Sequence, residues 1–551
     1  MEQPGNGVAL YGLEGRKKAI VVIGTLLGLL VSALNQTVVG TALPRIVAEL
    51  GGLDMYSWVL TSFMLTSTTA ILVAGRLSDM YGRKPFYMAG IAIFMTGSAL
   101  CGVSQSIMQL ILFRGFQGIG GGIMMGNAFA IIGDLFPPAK RAKYQGLFTS
   151  VFGLASVIGP LVGGFITDNW TWRAVFYLNL PIGFTALAVL WFGFPWRRPT
   201  ARRSIDYPGA VVVACAIVPL LLAMVWAGDK YAWTSPQIVS LLSLSAAMVG
   251  LFLLVEQRAI EPVLPLALFR GRIFTVCSLL AFLTGMGMFG TMAFMPLFMQ
   301  GALGDSATNS GVVMIPMMMG VVGGSIASGQ IVSRLKRYRV ILVLGSLTLV
   351  VGMYLMSLMT SSTPHSAAIR NMLIVGAGLG ITMPLTSLAV QNSVSYRLLG
   401  IATSSVVFFR SIGGTIGIAV FGTMMTGRMS ADFQTSLPQD VKAVVPPDLL
   451  SRLEDPQILL SPSTLDRVRE GFGLLGADGP RLFEETIASM RSVVGTSLGG
   501  VFFVGFIVAI IALIVSFLVR EIPLRTSWEH EPAAEKSPAE GYVLAGDAAS
   551  E

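Results

Sequence analysis

Long apolar segments recur along almost the whole chain, and they constrain its fold more than any other feature of the sequence. A helix needs about 20 predominantly apolar residues to cross the hydrocarbon core of a bilayer. Inside that core every backbone polar group must be paired within the protein, and a helix does this with its own residues. We therefore predict an all-α integral membrane protein with fourteen spanning helices. The predicted spans are residues 19–43, 56–77, 86–104, 108–132, 144–167, 173–195, 208–227, 236–256, 273–299, 309–333, 339–360, 368–392, 400–426 and 496–519.

The distribution of Lys and Arg predicts how these spans are oriented. Most of the 37 cations lie in alternate loops, whereas the short loops between them carry only Arg45, Arg173, Lys230 and Arg370. Loops on the cytoplasmic side of a membrane are enriched in Lys and Arg. We therefore predict a multi-pass protein of the cytoplasmic membrane with an even number of spans and both termini in the cytoplasm.

The spacing of the spans predicts the domain organisation. A cytoplasmic segment, residues 1–18, precedes a six-helix bundle at 19–195, an inserted helix pair at 208–256 and a second six-helix bundle at 273–519. The second bundle contains an external loop, residues 427–495, whose periodic apolar residues indicate one or two amphipathic helices. That loop is either a partly ordered spacer, or a lid or docking surface on the outer side of the membrane. Residues 520–551 are polar, and we expect them to be disordered.

Composition excludes several other classes of protein. Only 12% of the residues are charged, against roughly 25% in a typical soluble domain. The net charge of +8 is spread over short loops, which argues against nucleic-acid binding. The three cysteines, Cys101, Cys215 and Cys277, lack the spacing of a disulfide framework or a zinc site. We predict no enzyme, no cofactor and no metal ion.

A short polar hinge, Gly75 to Lys84, separates the second and third spans. Asp79 lies four residues after Gly75, so the two share a helix face, and Gly75 would let another helix approach closely. A carboxylate there can bind the positive N-terminal end of a helix, and the thirteenth span, which opens at Gly400, is the candidate. We predict that the hinge is a conformational latch between the two halves, formed by Gly75, Asp79, Gly82, Arg83 and Lys84. The alternative is that its cations only follow the positive-inside rule.

Two arginines are predicted inside spans, where a guanidinium must face the protein interior and find acceptors. Arg114 lies in the fourth span with Gln117 on the same face. Arg410 lies in the thirteenth span next to Gly413 and Gly414, which indicate a packing seam. Either arginine could serve transport or could only anchor neighbouring helices.

No Asp or Glu lies near the midpoint of a predicted span, so a mid-membrane carboxylate that could exchange a proton for a cation is missing. Polar and adaptable side chains remain as candidates to line a central cavity, although each of them could instead fill the protein core. The cavity candidates are Asn35, Gln36, Gln117, Asn127, Met292, Gln300, Gln391 and Arg410.

Several stretches together resemble the major facilitator superfamily, and specifically its 14-helix drug:proton antiporter branch. They are Gly75 to Lys84, Leu112 to Gly118, Gly153 with Gly159 to Gly164, Trp172 to Gly183, Leu34 to Pro44 and Phe409 to Gly414. The chain departs from the family pattern at Met80, where a cation is common, and at Asn35, where the antiporters usually carry an aspartate.

The resemblance implies a major facilitator fold, with two six-helix bundles around a central cavity and two inserted helices. It implies that Arg114 is tied to proton coupling. Because the usual acid of the first span is missing, Asp79 and Asp134 are the candidate acids that could act with Arg114. It also implies that an antiporter motif in the fifth span packs helices closely and limits leakage. That motif comprises Gly153, Gly159, Pro160, Gly163 and Gly164.

These observations lead to a functional prediction with two alternatives. We expect a monomeric secondary transporter in contact with membrane lipid that exports lipophilic small molecules by alternating access, coupled to protons. Multidrug efflux and antibiotic resistance would follow from that activity. A lipid or glycolipid exporter of the same fold and a non-transporting membrane scaffold are the alternatives.

Overall fold

The computed structural model describes Leu13 and residues 15–51, 55–195, 206–227, 230–259, 261–304, 307–395, 398–436, 462–473 and 478–524. Within these ranges the regular structure is helical apart from one isolated bridge between Ala227 and Tyr231. The predicted N-terminal segment and C-terminal tail lie largely outside the described residues, as do residues 437–461 and 474–477 of the predicted external loop.

Sixteen α-helices are described, with a 3₁₀ turn at Leu266–Arg270 and a π-helical turn at Phe298–Ala302. They are α1 (Gly15–Leu50), α2 (Tyr56–Tyr81), α3 (Arg83–Gly102), α4 (Ile107–Leu135), α5 (Pro138–Asn169), α6 (Trp172–Tyr177), α7 (Asn179–Gly193), α8 (Tyr207–Trp226), α9 (Pro236–Arg258), α10 (Arg272–Leu297), α11 (Ala307–Leu335), α12 (Arg339–Ser357), α13 (His365–Ser393), α14 (Leu399–Ser436), α15 (Pro462–Gly473) and α16 (Gly479–Phe517).

The predicted number of membrane spans is confirmed. In the described part of the chain, fourteen candidate spans are long and apolar enough to cross a membrane, and each coincides with a predicted one. The sixth span comprises two helices, because α6 ends at Tyr177 and α7 begins again at Asn179. Helix ends were less predictable than spans: α1 continues to Leu50, seven residues beyond the predicted end of its apolar segment.

We call the end of the helix array that carries Arg76, Arg83, Lys84 and Arg141 the basic end. Helices α2 and α4 finish there, and α3, α5 and α14 begin there. The loop 103–106, between α3 and α4, lies at the opposite end.

The helices form two halves. In the first half α4 packs against α2 and α3, and α1 packs against α5 and α7; in the second half α13 packs against α11 and α12, α14 against α10, and α16 against α12. Helices α8 and α9 pack on each other, and α8 contacts both α2 and α14. The halves meet along two seams, α2 and α4 against α14, and α5 against α11 and α13.

The segment before the last span is helical where it is described. Helix α15 packs against the start of α16, with the rings of Phe472 and Phe483 5.8 Å apart. Helix α16 then runs without interruption from Gly479 into the fourteenth span. The domain boundaries set out above, including those of this loop, stay a prediction.

Candidate functional site

The side chain of Asp79 joins the two halves at the basic end. Its Oδ1 accepts a hydrogen bond from the backbone N–H of Gly400 (3.2 Å), and its Oδ2 accepts one from Ile401 (2.9 Å). The first N–H groups of a helix have no partner within the helix and carry its positive end. The last turn of α2 therefore binds the first turn of α14, which is the contact that the hinge sequence predicted. Its action as a latch stays a prediction.

Two further charges of the hinge are bound within the first half, and one of them contacts Asp79. Arg83 forms an ion pair with Asp79, and its Nε donates to Oδ2 of Asp134 on α4 at 2.8 Å. Only 8% of the Arg83 side chain and 4% of each carboxylate is exposed. Removing one member of an ion pair would therefore leave the charge of the other buried and uncompensated. Lys84 Nζ donates to the backbone carbonyls of Trp191 and Phe194, at 2.8 and 2.5 Å.

Two glycines of the hinge are required by geometry. Gly82 connects α2 to α3 with φ of 96°, a conformation that side chains disfavour. A Cβ on Gly75 would lie 1.8 Å from Ser404 Oγ and 3.1 Å from the carbonyl oxygen of Gly400. Gly75 therefore lets α14 approach α2 directly above Asp79.

Glycines also allow close helix crossings in the second seam, where α5 packs against α11 and α13. A Cβ on Gly329 of α11 would lie 2.7 Å from the carbonyl oxygen of Ala142, and one on Gly146 of α5 would lie 2.5 Å from that of Ser325. Gln145 Nε2 donates to Oε1 of Gln391 at 2.9 Å. Gly329 thus lies at a close helix crossing, as Gly75 does in the first seam. The two seams close the basic half of the interior.

A central cavity lies between the halves, and the unoccupied space in and around it, including the part open to solvent, is about 720 Å³. On α2 and α14, hydroxyl groups of Thr68 and Ser411 are 3.0 Å apart at its edge. Asp79 is eleven residues further along α2, about 16 Å at the helical rise, so it is too far away to bind a molecule in the cavity. The lining residues are Gln36, Phe63, Met64, Ser67, Thr68, Ile71, Met125, Phe129, Thr149, Phe152, Met288, Phe289, Met383, Val407, Arg410 and Ser411.

Arg114 lies one layer behind that lining. Its Nη1 donates to Asn35 and to Oε1 of Gln117 (2.8 Å), and its Nε donates to the carbonyl oxygen of Val59 (3.2 Å). The guanidinium packs 4.4 Å from the ring centroid of Phe63, which does line the cavity. The acceptors that a buried arginine requires are therefore present, and all of them are uncharged.

Of the eight cavity candidates chosen from sequence, only Gln36 and Arg410 are in the lining. Asn35 and Gln117 are committed to Arg114, Asn127 Nδ2 donates to the carbonyl oxygen of Ile123 at 2.9 Å, and Gln391 lies in the closed seam. Met292 packs against the core of the second half, and Gln300 is in the π-helical turn. The apolar lining residues carry no sequence signal that separates them from side chains facing lipid.

Comparison with known proteins identifies the family. Residues 25–418 match the family model described as Major Facilitator Superfamily. The chain belongs to the major facilitator superfamily. As a member it is a membrane transporter and not an enzyme, which confirms the resemblance drawn from its motifs.

Two relatives and one solved structure extend this assignment. The chain is 39% identical over 525 residues to the multidrug transporter protein MdtP of Bacillus subtilis strain 168, covering 93% of this chain and 95% of that protein. It is 42% identical over 407 residues to multidrug resistance protein 3 of the same organism, covering 74% and 79%. The structure of the proton:xylose symporter XylE bound to 6-bromo-6-deoxy-D-glucose matches with a TM-score of 0.59 at 11% identity, over 92% of this chain and 97% of that one. The last likeness shows the major facilitator fold alone.

The glycines that resemble the antiporter motif of this superfamily serve two different contacts. A Cβ on Gly159 would lie 1.9 Å from Thr37 Oγ1, and one on Gly163 would lie 2.3 Å from Thr41 Oγ1, so both pack α5 against α1 within the first half. Gly153 instead faces Val322 of α11, across the seam between the halves. The side chain of Pro160 lies outside the described residues, and nothing lies within 4 Å of a Cβ on Gly164.

Gly163→Ala should destabilise the transporter, whereas Gly164→Ala on the same helix should not. The added methyl group at position 163 would meet Thr41 Oγ1 at 2.3 Å and the carbonyl oxygen of Val38 at 2.9 Å, and overpacking of this kind costs about 1–3 kcal/mol. Thermal unfolding of the two purified variants tests this expectation. Equal melting temperatures would show that the α1–α5 contact tolerates the extra atom.

The two inserted helices bridge the seam between α2 and α14. At the basic end Arg76 of α2 forms an ion pair with Glu261, which follows α9. At the opposite end Trp233 Nε1 donates to Thr423 Oγ1 of α14 at 2.7 Å, and the rings of Trp58 and Trp226 pack edge to face at 5.5 Å. The inserted pair is thus attached to both halves.

A polar cluster around Glu49 ties the first half together at the opposite end. Glu49 pairs with Arg173 and accepts a hydrogen bond from Trp172 Nε1 at 2.8 Å, while Arg173 also donates to the carbonyl oxygen of Ser104. The hydrogen bond from Arg173 lowers the pKa of Glu49 below its ordinary value of 4.5. Loops and helix ends that are distant in sequence are therefore fixed by one carboxylate.

Because the pKa of Glu49 is lowered in the folded protein, its contribution to stability is present above pH 4.5 and is lost as the pH falls through the folded value. We expect Glu49→Gln to lower the melting temperature at pH 7 by a small amount, since half of the side chain is exposed. That difference should shrink below about pH 4.5. Melting curves of both proteins from pH 3 to pH 7 measure it, and a difference that grows towards low pH would contradict the assignment.

Proposed function

We propose that this protein exports lipophilic small molecules across the cytoplasmic membrane by alternating access, coupled to protons. The observation that carries the proposal is the contact of Asp79 with the N-terminus of α14, which closes one end of the central cavity. A transporter of this kind needs a cavity between two halves and a closure that can break at one end at a time.

The positive-inside rule assigns the closed end to the cytoplasm. The basic end carries Arg76, Arg83, Lys84 and Arg141, and α1 begins there with Arg16, Lys17 and Lys18 in its first turn. On this assignment both termini are cytoplasmic and the cytoplasmic end is the one held closed by Asp79. The contacts that hold it closed are the ones that inward opening has to break.

The lining of the cavity supports lipophilic substrates. Most of its residues are aromatic, aliphatic or methionine, and Met64, Met125, Met288 and Met383 are flexible enough to accommodate molecules of different shape. The relatives named above are a multidrug transporter and a multidrug resistance protein. Both observations favour export of drug-like compounds over transport of a single polar nutrient.

We place the acids for proton coupling at the basic end, since the described lining of the cavity contains none. Asp79 and Asp134 share Arg83 and are almost fully buried. Protonation of Asp79 would remove the charge that binds the N-terminus of α14 and would leave Arg83 to Asp134 alone. Proton binding there would therefore favour opening of the basic end.

Reconstituted full-length protein tests the proposed function. Proteoliposomes with an imposed pH gradient are supplied with ethidium as a cation or 1-anilinonaphthalene-8-sulfonate as an anion, and movement of each probe is followed with and without the gradient. We expect gradient-dependent movement of at least one probe, lost when the gradient is collapsed. Folded protein that moves neither probe in a gradient-dependent manner would overturn the proposal.

A further inference from the structure

The central cavity contains one charged residue, and that residue is a cation. Of the sixteen lining side chains, Arg410 is the only one that carries a charge. It projects from α14, one residue before Ser411, towards a wall that is otherwise apolar or neutral. A charge in such an environment is costly unless a partner of opposite sign is present.

No protein group among the described residues supplies that partner. The Arg410 side chain is 93% buried, with 7% of its surface exposed. Its Nη2 donates to the carbonyl oxygen of Met383 at 3.3 Å, and its Nε has no hydrogen-bond partner. No described Asp or Glu lies within ion-pair distance of it.

A second cation increases the positive potential of the cavity. Arg114 lies behind Phe63, and its acceptors Asn35, Gln117 and Val59 are neutral. The buried carboxylates of Asp79 and Asp134 are at the basic end, where both already bind Arg83. Charges inside low-dielectric walls act on a ligand more strongly than charges in water do.

Resting on the proposed function, we propose that the cavity selects lipophilic anions. A carboxylate or sulfonate group would bind Arg410, whose planar guanidinium matches such groups, while the apolar body would pack on Phe63, Phe289 and Met288. Export of an anion also runs with the membrane potential, which is negative inside. A mid-membrane carboxylate to exchange a cation for a proton is then not needed, in agreement with its absence from the cavity lining.

Two probes of matched shape and opposite charge test the proposal: tetraphenylborate and tetraphenylphosphonium. Their binding to purified full-length protein is measured by equilibrium dialysis in detergent, with protein-free micelles as the blank. The wild-type protein should bind tetraphenylborate at least about tenfold more tightly than tetraphenylphosphonium, because the positive potential of Arg410 between low-dielectric walls attracts the anion and repels the cation. Equal binding, or tighter binding of the cation, would overturn the proposal.

Three variants assign the preference to Arg410. Arg410→Gln should reduce the preference for tetraphenylborate at least about tenfold, Arg410→Lys should retain most of it, and Met319→Leu, an exposed position on α11 outside the lining, should leave it unchanged. If Arg410→Gln does not fold, Ser67→Asp places a negative charge in the lining and should weaken tetraphenylborate binding to a similar extent. An unchanged preference in the folded variant contradicts the role of Arg410.

The binding assay separates this inference from the proposed function. A clear anion preference without gradient-driven flux in proteoliposomes would leave the selectivity in place and remove proton-coupled export. Gradient-driven flux in a protein that binds both probes equally would support proton-coupled export and contradict the anion selectivity.

Discussion

Asp79→Asn should abolish gradient-driven transport in proteoliposomes while leaving the yield and monodispersity of the purified protein intact. The carboxylate accepts two backbone hydrogen bonds from α14 and pairs with Arg83. Hydrogen bonds to a charged group contribute about 1.5–3 kcal/mol each. An amide keeps one acceptor oxygen and loses the charge, so the closed conformation of the basic end should lose roughly 2 kcal/mol or more.

Glu49→Gln provides a matched control for Asp79→Asn, because it makes the same chemical change at the opposite end and away from the seams. Its flux should remain close to that of the wild type. Wild-type flux in Asp79→Asn would contradict the role of Asp79 as a latch, since the closure of the basic end would then depend on packing alone.

Gly146→Leu should reduce transport by at least about tenfold through a steric effect on the second seam. A Cβ at this position would lie 2.5 Å from the backbone carbonyl oxygen of Ser325, and a backbone atom cannot rotate away as a side chain can. The larger side chain should hold α5 away from α11 and keep the basic end open. Flux and the accessibility of the basic end to a water-soluble thiol reagent measure the two consequences.

Gly164→Leu is the control for Gly146→Leu. It adds the same side chain to the same helix at a position where nothing lies within 4 Å of the Cβ. Its flux should stay within about twofold of the wild type. If Gly146→Leu transports equally well, the seam between α5 and α11 either opens elsewhere or is not closed during the cycle.

The sequence predicted those features that the membrane itself imposes. The number of spans follows from the length of apolar segments, and all fourteen are present. The position of Asp79 against Gly400 was predictable for the same reason: a buried acid near a membrane face needs a partner, and a helix N-terminus is one of the few available.

The cavity was much harder to predict, because a side chain that faces a cavity and one that faces lipid can be the same residue type. Phe63, Met64 and Phe289 line the cavity without any distinguishing pattern in the sequence. Asn35 was chosen as a lining residue because of its polarity, but its oxygen holds Arg114. The carboxylate that Asn35→Asp would introduce should therefore pair with Arg114 and not with a ligand in the cavity.

Attachment of the inserted helix pair was also beyond the sequence. Nothing in the sequence assigns a partner to Arg76, yet it pairs with Glu261, which is far away in the chain. Trp233, which precedes α9, likewise donates a hydrogen bond to Thr423 of α14, a residue far away in the chain. Such contacts depend on which helices are neighbours, and hydropathy alone does not determine that.

The distance across the basic end tests the central claim, that Asp79 holds the two halves together there, most directly. Spin labels at Lys140→Cys on α5 and Leu335→Cys on α11, both exposed at the basic end, are introduced into a protein in which Cys101, Cys215 and Cys277 have been replaced. Electron–electron double resonance should show mainly one short distance between the two labels when Asp79 is present. When Asp79→Asn is added, a second distance that is longer by several Å should appear. The same distance distribution in both proteins would contradict the account.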